Sequence, residues 1–325
     1  MSRESANPSP VPSEHPFVVG AYAALGDHIA DSNAVAGLRG LQDVSSSGVG
    51  FEIPMFSAFP RWSDPGFLLS LDALGSVITL VPALYGIAAE GAGLAAVDPA
   101  QRERGVQMVR RAQVFAAGLN DKAPGTVTAI TAISGPSSTQ GPVDRDALAE
   151  SLHALTQDDG ALPVLIEHCD AMIPGQPAAK GYLPLAEEID AAGRSGARIA
   201  LNWGRSAIEG RSASKPSDHL AMAADAGVLG AAMISGASPT TTDLGEAWAD
   251  VHNPLRESSI LGDAWAHAGS SLLTTAIART WLATAGARKP LIYQGMKLGV
   301  LSGLDLHARL RTLRDGLIRL QISPG

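Results

Sequence analysis

The sequence predicts an α/β fold, a single (β/α)8 TIM barrel, on three observations. First, eight short apolar, β-branched runs recur along the 325 residues, and amphipathic stretches of helical period lie between them. Second, most of these runs are continuously apolar rather than alternating, as parallel strands covered on both faces are. Third, the first run leads into Ala23-Ala24-Leu25-Gly26-Asp27. An open doubly wound sheet would place a Gly-x-Gly-x-x-Gly turn there. A chain of 325 residues suits one barrel.

Strands are expected at residues 17–23, 48–54, 76–82, 126–133, 163–168, 198–203, 228–235 and 290–298. Residues 1–15 are rich in Ser, Pro and Glu and read as a disordered tail, which leaves residues 16–325 as one domain. The most apolar stretch, 71–97, is interrupted by Asp72, Pro82 and Glu90, so it reads as a buried strand and a Gly-rich loop rather than a membrane span. Asp98-Pro99 supplies an N-cap and a first-turn proline for a helix bearing Val106, Val109, Phe115 and Leu119. Asp144 or Asp146 caps a helix with Leu148, Leu152 and Leu155. Asp305 opens the last helix, whose leucines recur at spacings of three and four. Its Arg309, Arg311, Arg314 and Arg319 read as a solvated face.

Composition narrows function. A net charge of −8 and a pI near 5.5 give no basic footprint for nucleic acid or an anionic membrane. One cysteine excludes an internal disulfide and a Cys-rich zinc site, and is consistent with a reducing cytoplasm.

The chemistry of such barrels sits at the C-terminal strand ends. Strand five ends in Glu167-His168-Cys169-Asp170. Alternation sends Glu167 and Cys169 to one side and His168 and Asp170 to the other. Glu167 is the candidate base or metal ligand, and His168 and Lys297 are candidate acid–base groups. The segment 202–212 reads as a long loop carrying Asn202, Trp203, Arg205, Glu209 and Arg211. Guanidinium forks there suit anions, and the indole offers a face for a sugar ring. Lys180, on a neighbouring loop that reads as exposed, is a further candidate to hold a substrate anion at the same mouth, and Glu52 ends strand two.

The stretches VVGAYAA, FEIP, IEHCDAMIPGQPAAKGYLPL, LNWGRSAIEGRS and MISGAS resemble the family called domain of unknown function 4862, which resembles the xylose-isomerase-like TIM barrels. The resemblance spans Phe17 to about Leu298. It implies a sugar isomerase or epimerase, or a lyase, working by proton transfer next to a carbonyl on a small, sugar-like, anionic substrate. It also implies one divalent metal (Mn, Mg, Co or Zn) at the strand ends. Glu167 matches the strand-five ligand, Glu52 matches a carboxylate near the substrate, and Asp250-Val251-His252 resembles a ligating Asp-x-His. Glu167, Asp250 and His252 are the candidate metal set. The strand-six acid of that group is Asn202 here, the strand-seven His is Ser235, and the strand-eight acid is replaced near Lys297, a cation that would oppose a metal. Two alternatives are a metal-dependent phosphodiesterase of the endonuclease IV type and a non-catalytic sugar-binding barrel.

Overall fold

Each of the eight expected strands forms and is hydrogen-bonded to the next. In this computed structural model they are β1 (Phe17–Val19), β2 (Gly50–Pro54), β3 (Ser76–Thr79), β4 (Val127–Ala132), β5 (Val164–Glu167), β6 (Arg198–Asn202), β7 (Leu229–Ile234) and β8 (Tyr293–Met296). All are parallel, and β8 returns to β1, where Val18 lies opposite Gly295, so the sheet closes into a barrel. The structure describes residues 11–13, 15–44, 48–158, 160–258, 270–288, 291–320 and 322–324. Of the expected tail, residues 1–10 and 14 lie outside these. Val11–Ser13 forms a short strand paired in parallel with Ile322–Pro324, apart from the barrel. Among the described residues no helix is long and apolar enough to cross a membrane.

Strand alternation divides the buried residues into two clusters. Val18, Val77, Ala129, Leu165, Ala200, Ala231, Met233 and Tyr293 pack together inside the barrel. Their neighbours Phe17, Val19, Ile78, Ile130, Ile166, Ile199, Leu201, Ala232 and Ile234 belong to the shell beneath the helices. Two residues beyond an inward position is another inward position. Leu165 therefore leads to Glu167, Ala200 to Asn202, Met233 to Ser235, and Gly50 to Glu52. A floor of apolar side chains thus carries a polar layer at the C-terminal end.

The caps follow simple chemistry. The Asp98 carboxylate accepts from the Ala100 amide at the start of helix Pro99–Asn120. Asp144, rather than Asp146, caps helix Arg145–Thr156 by accepting from the amides of residues 146 and 147. Three readings are corrected. Strand β3 is followed by helix Val81–Ala88, with Pro82 in its first turn, before the glycine-rich segment begins. Segment 202–212 is mostly helix, Trp203–Gly210, because the Asn202 side chain accepts from the Gly204 amide and caps it. Gly204 is there for space rather than as a helix breaker, since a Cβ would lie 2.5 Å from Ser235 Oγ. Arg309, finally, is buried against the carbonyls of Ala24, Leu301, Ser302 and Leu304 instead of lying on a solvated face.

Candidate active site

Three carboxylates and three cations meet at the strand C-termini in one buried network. Lys297, just past β8, places Nζ 2.8 Å from Glu52 Oε1 and 4.0 Å from Glu167 Oε1. Arg205 Nη1 lies 2.8 Å from Glu167 Oε1, and its Nε lies 3.3 Å from Asp250 Oδ2. Lys180 Nζ donates to the same Asp250 carboxylate. Lys180 was expected in an exposed loop, but its side chain is largely covered. The reason is Asp170, whose carboxylate accepts from the amides of residues 179 and 180 and folds the loop inward.

Local backbone features deliver these groups. Gly20 leaves room where a Cβ would lie 2.8 Å from both Glu52 Oε2 and Lys297 Cγ. Asp250 and His252 come from the long β7–β8 connection. That segment is strapped across two strand ends, because the Gly236 amide donates to Asn253 O and the Gly299 amide to His252 O, each at 2.7 Å. His252 adopts φ 55°, a left-handed conformation uncommon for a residue with a side chain. Such strain persists where surrounding contacts impose it, and it recurs at functional sites.

Electrostatics separates the two central glutamates. Burial penalises both, but for Glu167 it is outweighed by Arg205 and then Lys297, so its carboxyl sits below the usual range. For Glu52 burial prevails over Lys297, and the charge of Glu167 adds to it, so its carboxyl is raised. Lys297 moves the other way, because Glu167 and Glu52 overcome its burial and hold it as an ammonium. His252 is pushed down to about 3 by burial, helped by Lys297, Arg205 and Lys180 against Asp250. It is therefore a neutral imidazole at physiological pH. Burial lifts Cys169 to about 12, so it is a thiol lying 3.1 Å from Arg205 Nη1.

Several of these atoms are buried without an aligned hydrogen bond among the described residues. They are Glu52 Oε2, both Glu167 oxygens, Asn202 Nδ2, Arg205 Nε, His252 Nδ1 and Lys297 Nζ. The Lys297 and Arg205 ion pairs above are close in distance but not in hydrogen-bond alignment. Buried polar groups left in this way are costly unless something polar meets them. Asn202 Oδ1, in contrast, accepts from Ser235 Oγ and the Gly204 amide.

Other expected site residues lie elsewhere. His168 faces away from the barrel axis, with Nδ1 2.7 Å from Glu188 and Nε2 2.9 Å from Glu209. Burial opposes its protonation, but Glu188 and Glu209 more than offset that and lift it to about 10. Glu209 also accepts from the Ala171 amide and lies 3.2 Å from His219 Nε2. This group ties the end of β5 to helix Trp203–Gly210, which carries Arg205. The Trp203 side chain is buried and lines a cavity of about 450 Å³ with Leu220 and Trp281 among the outer helices, away from the strand ends. Arg211 donates to Pro177 O and sits over the Trp248 ring.

The implied metal does not fit its expected ligands. Glu167 and Asp250 each already face resident cations, and Lys297 and Arg205 stand where an ion would have to approach them. Among the described residues, the group of three His, Cys, Asp or Glu donors within 4.8 Å of one another is His168, Glu209 and His219, outside the barrel. Glu167, Asp250 and His252 do not close into such a group.

The reading of the strand ends missed Tyr22. Its ring lies 5.3 Å from Lys297 Nζ, and its hydroxyl is raised by burial and by Glu52. Alternation from Val18 through Gly20 was the signal available.

Residues 18–312 match the family described as Domain of unknown function (DUF4862). The chain belongs to this family. It is 34% identical over 232 residues to the uncharacterized protein STM3670 of Salmonella typhimurium, a match covering 70% of each chain. The fold is that of the xylose-isomerase-like TIM barrels. It is similar to a crystal structure of D-psicose 3-epimerase in the presence of D-fructose, with a TM-score of 0.56, 12% identity, and 95% of this chain and 99% of that one covered. It is also similar to a xylose isomerase-like TIM barrel/4-hydroxyphenylpyruvate dioxygenase fusion protein, with a TM-score of 0.57 and 11% identity. That match covers 94% of this chain and 42% of the fusion.

Proposed function

We propose that this DUF4862 protein is a sugar isomerase or epimerase that moves a proton at a carbon next to a carbonyl. The observation that carries this reading is the pair Glu52 and Glu167. They are two buried carboxylates at the strand ends with opposite pKa shifts and one ammonium between them. Environments that drive two titratable groups apart assign an acid and a base. The likeness in fold to a D-psicose 3-epimerase is in keeping with this reading.

Ionised Glu167 takes the proton from the carbon, and the C–H electron pair moves onto the carbonyl oxygen to form an enediolate. The Lys297 ammonium stabilises that oxygen, and fixed charge in a dry site is effective there. Glu52, whose carboxyl is raised, is the acid that returns a proton, either to the opposite face of the same carbon, giving the epimer, or to the neighbouring carbon while the first carbon's hydroxyl proton passes to the former carbonyl oxygen, giving the isomer. A second proton transfer between the two glutamates, through the substrate or water, restores the starting state. Neutral His252 and Asn202 Nδ2 meet sugar hydroxyls.

The pairing of the two outer cations favours a neutral sugar. Arg205 and Lys180, expected to hold a substrate anion, are bound to Glu167 and Asp250 instead. The test is incubation of the protein with a panel of neutral ketoses and aldoses, and of their phosphates, in D2O. The expected result is deuterium entering a neutral sugar beside its carbonyl, read by NMR. Exchange into phosphorylated sugars alone contradicts the neutral-substrate part, and exchange into no sugar contradicts the reaction.

A further inference from the structure

We propose that this site functions without a divalent cation, the Lys297 ammonium backed by the Arg205 guanidinium filling that electrostatic role between Glu52 and Glu167. The reaction it serves is the one proposed above, but the argument and its test concern ion binding and stand apart from turnover.

Two carboxyl groups that project from β2 and β5 into one buried layer repel one another whenever both are ionised, because water cannot screen them there. Holding such a pair ionised requires a cation, either bound from solution or supplied by the chain. Here the chain supplies it. Lys297 is fully buried, with Nζ 2.8 Å from Glu52 Oε1 and 4.0 Å from Glu167 Oε1. Its stem is fixed where Gly20 has no side chain, since a Cβ there would lie 2.8 Å from Lys297 Cγ. An ion ligated by Glu52 would sit about 2.0–2.2 Å from the carboxylate oxygen. At Oε1 that places it beside the ammonium, and two positive charges would occupy one coordination shell. Arg205 closes the Glu167 side at 2.8 Å and reaches Asp250 at 3.3 Å, where Lys180 also binds. No carboxylate of the network is left without a resident cation.

Lys297 also retains capacity for a ligand. Its Nζ is buried with no aligned hydrogen bond among the described residues, so its N–H groups can be turned to a substrate oxygen. An ammonium held by two carboxylates supplies positive charge without an ion's loading step.

The experiment is a Mn2+ titration followed by electron paramagnetic resonance, on the wild-type protein and on the Lys297→Ala, Lys297→Ala/Glu52→Gln, Glu167→Gln and His219→Ala variants. Wild type is expected to leave millimolar Mn2+ free at the strand ends. Lys297→Ala, which uncovers two facing carboxylates, is expected to bind one Mn2+ about tenfold or more tightly than wild type, and the added Glu52→Gln to abolish that gain. Wild-type binding that Glu167→Gln leaves intact and His219→Ala removes belongs to the outer His168–Glu209–His219 group and supports the proposal. Wild-type binding of one Mn2+ that Glu167→Gln removes overturns it, as does a folded Lys297→Ala protein with no gain in affinity. If Lys297→Ala does not fold, the wild-type and Glu167→Gln titrations decide alone. A protein that binds no Mn2+ at the strand ends but exchanges no sugar proton contradicts the proposed reaction while leaving this inference standing.

Discussion

Replacing Arg205 by methionine isolates the cation that holds Glu167 ionised. Methionine fills much of the same volume, so the change is chiefly electrostatic. Arg205 is 3% exposed and contacts two carboxylates, Glu167 at 2.8 Å and Asp250 at 3.3 Å. After its loss Asp250 keeps Lys180, whereas Glu167 keeps only Lys297 at 4.0 Å. Removing one partner of a buried pair costs about 3–5 kcal/mol, because the remaining charge is stranded. Asp250 retains its partner, so the lower end, about 3 kcal/mol, is expected at pH 7 by urea unfolding. The pH dependence follows in sign. Glu167 is lowered in the folded protein, so its contribution is present above the ordinary carboxylate pKa and lost as pH falls through its folded value. The gap between Arg205→Met and wild type therefore narrows in acid. Adding Glu167→Gln to Arg205→Met should recover stability, since no stranded charge then remains. A single variant within about 0.5 kcal/mol of wild type, or a double variant with the full sum of the two losses, refutes the reasoning.

Gly20→Ala should cost about 1–3 kcal/mol by overpacking and should slow any turnover by displacing Glu52 and Lys297. Thermal unfolding and exchange kinetics read the two effects, and an unaffected variant would show the contact to be soft. His168 is raised to about 10 in the fold, so its contribution is complete below its ordinary value and falls as pH rises towards 10. Urea midpoints from pH 6.5 to 10 should decline less steeply in His168→Asn than in wild type, and parallel slopes would remove His168 as the cause.

The barrel was legible because its signal is local and repeated. Runs such as Val164-Leu165-Ile166 are apolar on both faces, and only a covered parallel strand needs that. The same alternation that placed Leu165 inside placed Glu167 two residues on, and Glu52 and Asn202 followed the same rule on their strands. What alternation does not reach is loop closure. Asp250 and His252 lie in a long connection whose path is set by amides of Gly236 and Gly299, far away in sequence. Lys180 looked solvated because the effect of Asp170 on its loop is a matter of geometry, not spacing. Helix Trp203–Gly210 was hidden by two glycines, one of which serves close packing against Ser235. The metal set drawn from resemblance carried acids across with Lys297 as the opposing cation, but without Arg205 and Lys180, which face Glu167 and Asp250 here.

The most direct test of the account is the rate of deuterium incorporation from D2O into the exchanging sugar by wild type and by Glu167→Gln, with folding of both verified by circular dichroism. The exchange removes dependence on product identity and reads proton abstraction alone. The account predicts a fall of about 10²–10⁴-fold in the variant, the range for loss of a positioned base. Exchange at the wild-type rate by a folded Glu167→Gln protein would contradict it, and Glu167 would then be a structural partner of Arg205.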